Sequence, residues 1–402
     1  MRAFDWLSQR PRLLRCLFAG LRLLAPVLVL GRIVIVTRIA DIRAVLARDA
    51  DFTVRPDDRP VILDGPFVLR MDRSPQYLQE IDLLRRVVTS ADLLRIRNLV
   101  AAEARARVLD KIGGRIDIVA DLANPVGMRL ITDYLGVPAP TEGDLVLWLR
   151  RLAAYIVTAG FRDAADAMRA EAAALSLRRY VEGVITARRQ ALARNPTAID
   201  DDVLSRLLRM RDHSEGCVDA DMVRRNITGL MIVSHAVVVK GLGLAVDELL
   251  RRPETLAAAR RVAAADEIEA VTKYAFEALR FNPVFPVLTR FSPRASGMVD
   301  ARGKRHAIPA GATIIAATLS GMFDAAAFPR PNDFALDRDL QDYLVFGHGM
   351  HACFGRHIAA IEVPEMLLAL LKLPNLRRAA GEAGRIRYDG PAVDRLLLEF
   401  DV

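Results

Sequence analysis

Cysteine is scarce. The 402 residues include three, Cys16, Cys217 and Cys353, an odd number set far apart and without CxxC spacing. They imply neither a disulfide framework nor a zinc site, which fits a reducing, cytoplasmic setting. Lysine is rarer than the charge would suggest. Only Lys111, Lys240, Lys273, Lys304 and Lys372 occur among 57 cationic residues; the rest are arginine. The formal net charge of +8 is spread along the chain. With no basic tail and no basic stretch interleaved with aromatics, nucleic acid is not the expected partner. A diffuse positive field suits an acidic protein partner instead. Aromatics make up 6%, so the core must lean on aliphatic side chains; Trp6 and Trp148 read as packing residues. The chain also lacks an unbroken apolar span near its start. Leu13 to Val36 is interrupted by Arg15, Arg22, Arg32 and Pro26, whereas a transmembrane helix needs about 20 apolar residues. No signal-peptide cleavage site stands out. A weak contact of Arg10 to Leu24 with a membrane surface stays open. Repeats, low-complexity tracts and long linkers are absent, so residues 1–402 read as one domain.

What is present is apolar periodicity. The chain is 52% hydrophobic, enough for a large core. Val27 to Leu30 and Ile33 to Thr37 read as a hairpin, and Ala40 to Ala47 as a short helix. Asp51 to Asp72 reads as loop. Tyr77 to Val88, Leu93 to Ile112, Leu122 to Leu135, Asp144 to Ala159 and Ala164 to Leu192 suit helices. Asn195 to Asp202 is a polar break. Asp219 to Leu250 is apolar almost all round, as expected of a helix through the middle of the molecule. Pro253 to Ala263 and Glu267 to Phe281 follow as helices. Pro283 to Arg290 is extended, Ala312 to Ala317 is a strand, and Phe328 to Phe334 is an irregular loop. Ile358 to Leu371 is a helix, and strands close the chain from Arg385 to Phe400. The fold class is mainly α with minor β (α+β). The β-rich parts fall at about 25–70 and 283–320, and a further strand-bearing tail closes the chain.

One segment carries chemistry. Phe346-Gly347-His348-Gly349-Met350-His351-Ala352-Cys353-Phe354-Gly355 is a glycine-rich loop running into an apolar helix. A thiolate is a soft, strongly donating ligand for haem iron. It needs a tight loop, backbone N–H groups aimed at it, and a dry shell. Gly347, Gly349 and Gly355 permit the tight backbone. Phe346 can shield the sulfur, and His351 can reach a haem propionate. A structural cysteine in a glycine-rich turn is the other reading of these residues. The stretch resembles the cytochrome P450 haem-binding signature, Phe-Gly-x-Gly-x-His-x-Cys-x-Gly, at all six specified positions.

The resemblance to bacterial cytochromes P450 extends over essentially the whole chain. It implies the P450 fold, haem b (iron protoporphyrin IX) with Cys353 as axial ligand, and cofactor contacts at Phe346, Gly347, His351 and Gly355. Glu277-Ala278-Leu279-Arg280 resembles the family's Glu-x-x-Arg; helical spacing puts the pair on one face. Alone it could be a solvated surface pair. The family bonds it to the segment where Asn332, Asp333, Phe334 and Arg338 lie here. Arg290 matches a propionate-binding arginine, with a surface strand arginine as the other reading. The family's C-helix His-x-x-x-Arg has no histidine counterpart after Met71 to Tyr77. Tyr77 and Arg85 are the candidate substitutes.

The long helix resembles the family's I helix but departs at its centre, where Val233-Ser234-His235-Ala236-Val237-Val238 stands. The family's acid and alcohol become Ala236 and Val237, which can relay no proton. Ile232, Val233, Ala236, Val237 and Val284 are the expected pocket wall, together with Ile62 to Leu69, Leu152 to Phe161 and Val284 to Leu288. Lys240, on the face of Ala236 by i,i+4 spacing, is either a functional group or a paired structural one. His235 points about 100° away and reads as a core histidine, though it is the nearest candidate for a sixth iron ligand. The resemblance implies an O2-dependent monooxygenase acting on a lipophilic or amphipathic small molecule, with a ferredoxin-type donor docking near Arg356 and His357. Alternatives stay open: an H2O2-dependent peroxygenase, although the fatty-acid peroxygenases' Arg-Pro is missing; an isomerase or dehydratase; or a non-catalytic haem protein.

Overall fold

The long apolar run forms one helix of 31 residues, Ala220–Leu250, about 46 Å long at 1.5 Å per residue. Its N-terminus is capped by Asp219, whose carboxylate accepts the Met222 N–H at 2.6 Å. Most of its side chains are buried, so packing from every side holds it rather than one amphipathic seam. The computed structural model describes residues 6–54, 65, 67–111, 113–157, 164–195, 197, 201–211 and 219–402.

Thirteen helices are seen among the described residues, in chain order α1 (Pro11–Leu24), α2 (Ile39–Ala47), α3 (Pro75–Val87), α4 (Leu93–Leu109), α5 (Asn124–Leu130), α6 (Leu145–Val157), α7 (Ala164–Arg194), α8 (Val203–Arg211), α9 (Ala220–Leu250), α10 (Pro253–Ala264), α11 (Ile268–Phe281), α12 (Thr318–Gly321) and α13 (Arg356–Leu371). The main sheet joins β1 (Val27–Leu30), β2 (Ile33–Val36), β7 (Ala312–Ala316) and β4 (Leu288–Ser292) in that order. β2 runs parallel to β7, with Ile33 opposite Thr313; β4 is antiparallel to β7, with Arg290 opposite Ile314. β3 (Arg115–Asp117) pairs with β11 (Leu397–Glu399) and through it β8 (Arg377–Arg378). β5 (Ser296–Val299) pairs with β6 (Arg305–Ile308), and β9 (Arg387–Asp389) with β10 (Ala392–Arg395). The mainly α, minor β architecture is the expected one.

Local departures have local causes. α8 was not expected, because its apolar residues are interleaved with arginines over only nine positions. The helix expected from Leu122 starts at Ile118 and widens into π-type turns on both sides of α5. Pro283 and Pro286 delay the strand after α11 until Leu288, and the carbonyls of Phe285 and Pro286 are taken by Thr318 and Leu319 of α12. α13 packs against α4, α9 and α11, so the helix that follows Cys353 is anchored to the central helix. α9 is also the one helix among the described residues long and apolar enough to cross a membrane, and 72% of that stretch is buried inside the molecule.

Candidate active site

Cys353 sits between the turn Gly349–His351 and the start of α13. Its N–H donates to the Phe346 carbonyl at 2.8 Å, and the Ala352 N–H donates to Gly349 at 3.0 Å. Gly347 has φ +71° and ψ −160°, and Gly349 has φ +74°, a region closed to side chains with a Cβ. A Cβ on Gly349 would also run into the Leu46 carbonyl. The thiol is reached by solvent yet walled by protein. Burial pushes its pKa up, against the Gly355 N–H and the Arg356 charge, which favour the thiolate. Metal coordination would deprotonate it outright. Phe346 packs its ring 5.3 Å from that of Phe276. Gly355 has nothing within 4 Å of where a Cβ would project and an ordinary φ of −87°. The protein alone therefore gives no reason for glycine there, and a flat group approaching the sulfur does.

Glu277 and Arg280 brace this loop from α11. Both side chains are at or below 1% exposure and form a two-pronged pair, Nε to Oε2 at 2.9 Å and Nη2 to Oε1 at 2.8 Å. Arg280 also donates to the carbonyls of Met322 and Pro331, both at 2.9 Å, and of Asp333 at 3.0 Å. Glu277 accepts the Ala335 N–H at 3.0 Å and the Tyr343 hydroxyl, and lies 3.7 Å from Arg338. Burial, then Glu277, pushes the Tyr343 phenol far up. This is the bonding expected toward Asp333 and Arg338. Met322, Pro331 and Ala335 complete it through backbone groups, which leave no residue signal, and Tyr343 through its hydroxyl. Asn332 and Phe334 take no hydrogen-bonding part in it; Phe334 stacks on Phe281.

Tyr77, His351 and Arg290 converge from α3, the cysteine loop and β4. The rings of Tyr77 and His351 lie 6.5 Å apart, and the Tyr77 hydroxyl reaches the Met350 carbonyl at 3.5 Å. Arg290 is 7% exposed. Its Nη1 donates to its neighbour Thr289, and among the described residues no carboxylate forms an ion pair with it. Burial lowers its pKa, against the charge of Asp72. Burial and then the Arg290 charge push His351 down to about 4, and its Nε2 is buried without a hydrogen-bond partner among the described residues. A buried cation and an orphaned ring nitrogen side by side are costly unless something anionic meets them. The two propionates of a haem held on Cys353 fit that need. Arg85 is exposed on α3, two turns beyond Tyr77.

Along α9 the side chains open to partial exposure are Val233, Ser234, Ala236, Val237 and Lys240. Val233, Ala236, Val237 and Lys240 form a stripe at helical spacing. The Lys240 ammonium lies 5.8 Å from the centre of the Phe285 ring. Val284 faces the same stretch, with its Cγ2 3.6 Å from a Cβ placed on Gly241. Leu288 reaches 3.5 Å from a Cβ placed on Gly347, linking this wall to the cysteine loop. His235 is not part of the wall. It is 1% exposed and packs against Gly127 of α5, both ring nitrogens without hydrogen-bond partners among the described residues, and burial pushes its imidazole down to about 4. Of the other expected walls, Phe67 to Leu69 and Leu152 to Ile156 are seen, Phe67 packing on Gly229 of α9; residues 62–64, 66 and 158–161 lie outside the described residues. The sequence reading also missed Glu80 of α3, which joins Asn226 at 2.6 Å and Arg225 at 3.0 Å and so ties α3 to α9.

Comparison with known proteins agrees with this geometry. The family model described as Cytochrome P450 matches residues 162–377. The chain is similar to the mycinamicin IV hydroxylase/epoxidase of Micromonospora griseorubida, 29% identical over 382 residues, covering 92% of this chain and 88% of that one. It is similar to the 6-deoxyerythronolide B hydroxylase of Saccharopolyspora erythraea, 30% identical over 267 residues; that match covers 66% of this chain and 60% of the relative's length. The solved structure of CalO2 superposes with a TM-score of 0.81 at 24% identity, covering 98% of this chain and 97% of that one. P450BioI, in its complex with an acyl carrier protein, gives 0.80 at 21%, covering 98% and 99%. The chain therefore belongs to the cytochrome P450 family, the haem-thiolate oxidoreductases of monooxygenase type.

Proposed function

We propose that the chain is an O2-dependent haem-thiolate monooxygenase that puts one oxygen atom into an apolar or amphipathic small molecule, with electrons from an external ferredoxin-type donor. The whole chain, 1–402, works as one domain in the cytoplasm. The observation that carries the proposal is the set of Cys353, an orphaned His351 under the charge of a buried Arg290, and the bracing pair Glu277 and Arg280. Haem b, when bound, would supply the iron redox chemistry that activates oxygen. Cys353 would hold the iron, with Phe346 shielding the sulfur and Gly347 bending the loop. His351, Arg290 and Tyr77 would hold the propionates, and Gly355 would leave room for the ring. Val233, Ala236, Val237 and Val284 offer aliphatic surface to the substrate. Lys240, at the end of that stripe, meets a polar or carboxylate end. Arg356 and His357, both exposed beside the cysteine loop, present cationic surface to an acidic donor.

A second reading is favoured by one observation: Ala236 and Val237 offer no proton where the family relays them. Hydrogen peroxide brings its own electrons and protons, so a peroxygenase needs less from this helix. Turnover with reduced ferredoxin and O2, set beside turnover with H2O2 alone, separates the two. The proposal expects the first to exceed the second, and sustained turnover on peroxide with none on O2 overturns it. Cys353→Ala should remove the thiolate signature from the ferrous–CO spectrum; an unchanged spectrum would remove the basis of both readings. A non-catalytic carrier is disfavoured, because His235, the nearest candidate sixth ligand, turns into the core.

A further inference from the structure

α1 carries apolar side chains on its outer face as well as on its packed one. Two of its arginines point inward. Arg15 lies over the rings of Phe323 and Phe281, at 4.6 and 5.2 Å, and Arg22 donates to the Ser320 carbonyl and hydroxyl at 2.9 and 2.8 Å. Leu14 and Phe18 are buried beneath them. The leucines take the outside: Leu13, Leu17, Leu23 and Leu24 are 40%, 50%, 70% and 81% exposed. Leu13, Leu17, Gly20 and Leu24 are spaced four, three and four apart, one continuous stripe, about 17 Å long. A Cβ on Gly20 would meet nothing within 4 Å. Trp6, also exposed at 49%, lies at the N-terminal end with Arg10 stacked 3.9 Å over it.

The helix is not a loose tail. Gln9 holds the Gly390 carbonyl at 3.0 Å, and Arg302 holds the Leu23 carbonyl at 3.0 Å. Stable globular surfaces rarely leave such a stripe open without a use. Charge indicates which use. Residues 6–40 contain six arginines and no aspartate or glutamate. Arg10 and Arg12 flank the apolar stripe on its two sides, and the Arg302 contact brings the exposed Arg302 and Lys304 to its C-terminal end. A basic-rimmed leucine face with a tryptophan at its edge is the build of a helix lying in an interfacial plane.

We propose that the outer face of α1 docks the protein on an anionic lipid bilayer surface, with Leu13, Leu17 and Leu24 entering the headgroup boundary and Arg10 and Arg12 pairing with lipid phosphates. No step of the oxygenation reading is needed for this; it concerns where the enzyme sits. The test is co-sedimentation of the haem-loaded protein with vesicles of equimolar phosphatidylcholine and phosphatidylglycerol, and with phosphatidylcholine alone. Binding should be at least about tenfold stronger to the anionic vesicles and should fall in high salt. In a Trp148→Phe background, Trp6 emission should shift to the blue on binding. Leu17→Glu with Leu24→Glu should stay in the supernatant, and Arg10→Gln with Arg12→Gln should lose the preference for anionic vesicles. Both variants should keep the wild-type ferrous–CO spectrum, which separates lost docking from lost fold. Absence of binding to either vesicle, or unchanged binding by the Glu variant, overturns the proposal. So does a dimer in solution that Leu17→Glu converts to monomer while vesicle binding is unaffected, which would assign the stripe to a second copy.

Discussion

Glu277 and Arg280 are surrounded by carbonyls, an N–H and a hydroxyl that leave their charges no unmet valence, whereas Val233, Ala236 and Val237 leave only methyl groups half-open along α9. The first region bonds to the segment leading into the cysteine loop, and the second is linked to that loop through Val284 and Leu288. The first is specified by hydrogen bonds, each of which demands a partner at a fixed place. The second is specified by shape, and aliphatic side chains of similar volume can replace one another there at small cost. The bracing lattice thus tolerates little change without loss of the fold, while the aliphatic stripe of α9 tolerates substitution by side chains of similar volume.

The largest effect should come from breaking the lattice. Glu277→Gln keeps the shape but leaves Arg280 charged and unpaired at zero exposure. Removing one partner of a buried pair costs about 3–5 kcal/mol. The variant should melt well below the wild type and purify largely without haem, measured by thermal unfolding and haem content per chain. A variant that retains both would show that backbone carbonyls alone hold Arg280, and the contrast between the two regions would weaken.

Refitting the wall should change activity and leave the fold alone. Ala236→Asp with Val237→Thr puts an acid and an alcohol back on the stripe. If proton delivery limits O2 use, O2-driven turnover should rise by about 100-fold, the low end of what a placed acid–base group contributes. Haem content and melting temperature should hardly move. A fall in O2-driven turnover with peroxide-driven turnover unchanged would mean that the wall already has another proton source.

A smaller effect is expected on the bracing side, in α13. Glu362 is 2% exposed, and burial pushes its carboxyl up to about 8. The folded value lies above the unfolded one, so the folded state holds a proton that the unfolded state gives up. The stability this group contributes is present below its unfolded pKa, near 4.5, and is lost as pH rises toward about 8. Glu362→Gln should flatten that decline, by an amount on the order of a few kcal/mol across the window. Urea unfolding at a series of pH values measures it, and equal slopes for variant and wild type would show that Glu362 ionises without penalty.

The lattice was readable in the sequence at its two ends, Glu277-x-x-Arg280 and Cys353, because charged and sulfur side chains mark themselves. Its middle was not, since carbonyls of Met322 and Pro331 carry no side-chain signal. Tyr77 and Arg85 entered the sequence reading as substitutes for the family's missing histidine, and the structure sets the Tyr77 ring 6.5 Å from that of His351. The sequence left a surface contact of Arg10 to Leu24 open, and the burial of Leu14 and Phe18 on the packed side shows which leucines, Leu13, Leu17, Leu23 and Leu24, are left outside.

The smallest effect tests where the wall ends. His235 sits on the same helical turn as Ala236 but is buried against Gly127. Burial holds its imidazole at about 4, assisted by Arg150 and opposed by Asp144. The folded value is below the ordinary 6.5, so the unfolded chain takes up the proton first, and stability falls as pH drops from about 6.5 toward 4. His235→Leu should remove that loss, worth roughly 1–3 kcal/mol by the lower end of the window, and should leave haem spectra and substrate-induced spin shifts as they are. If the spin shifts change instead, the imidazole reaches the opening, and the boundary between the packed side of α9 and its aliphatic stripe lies one residue from where Gly127 places it.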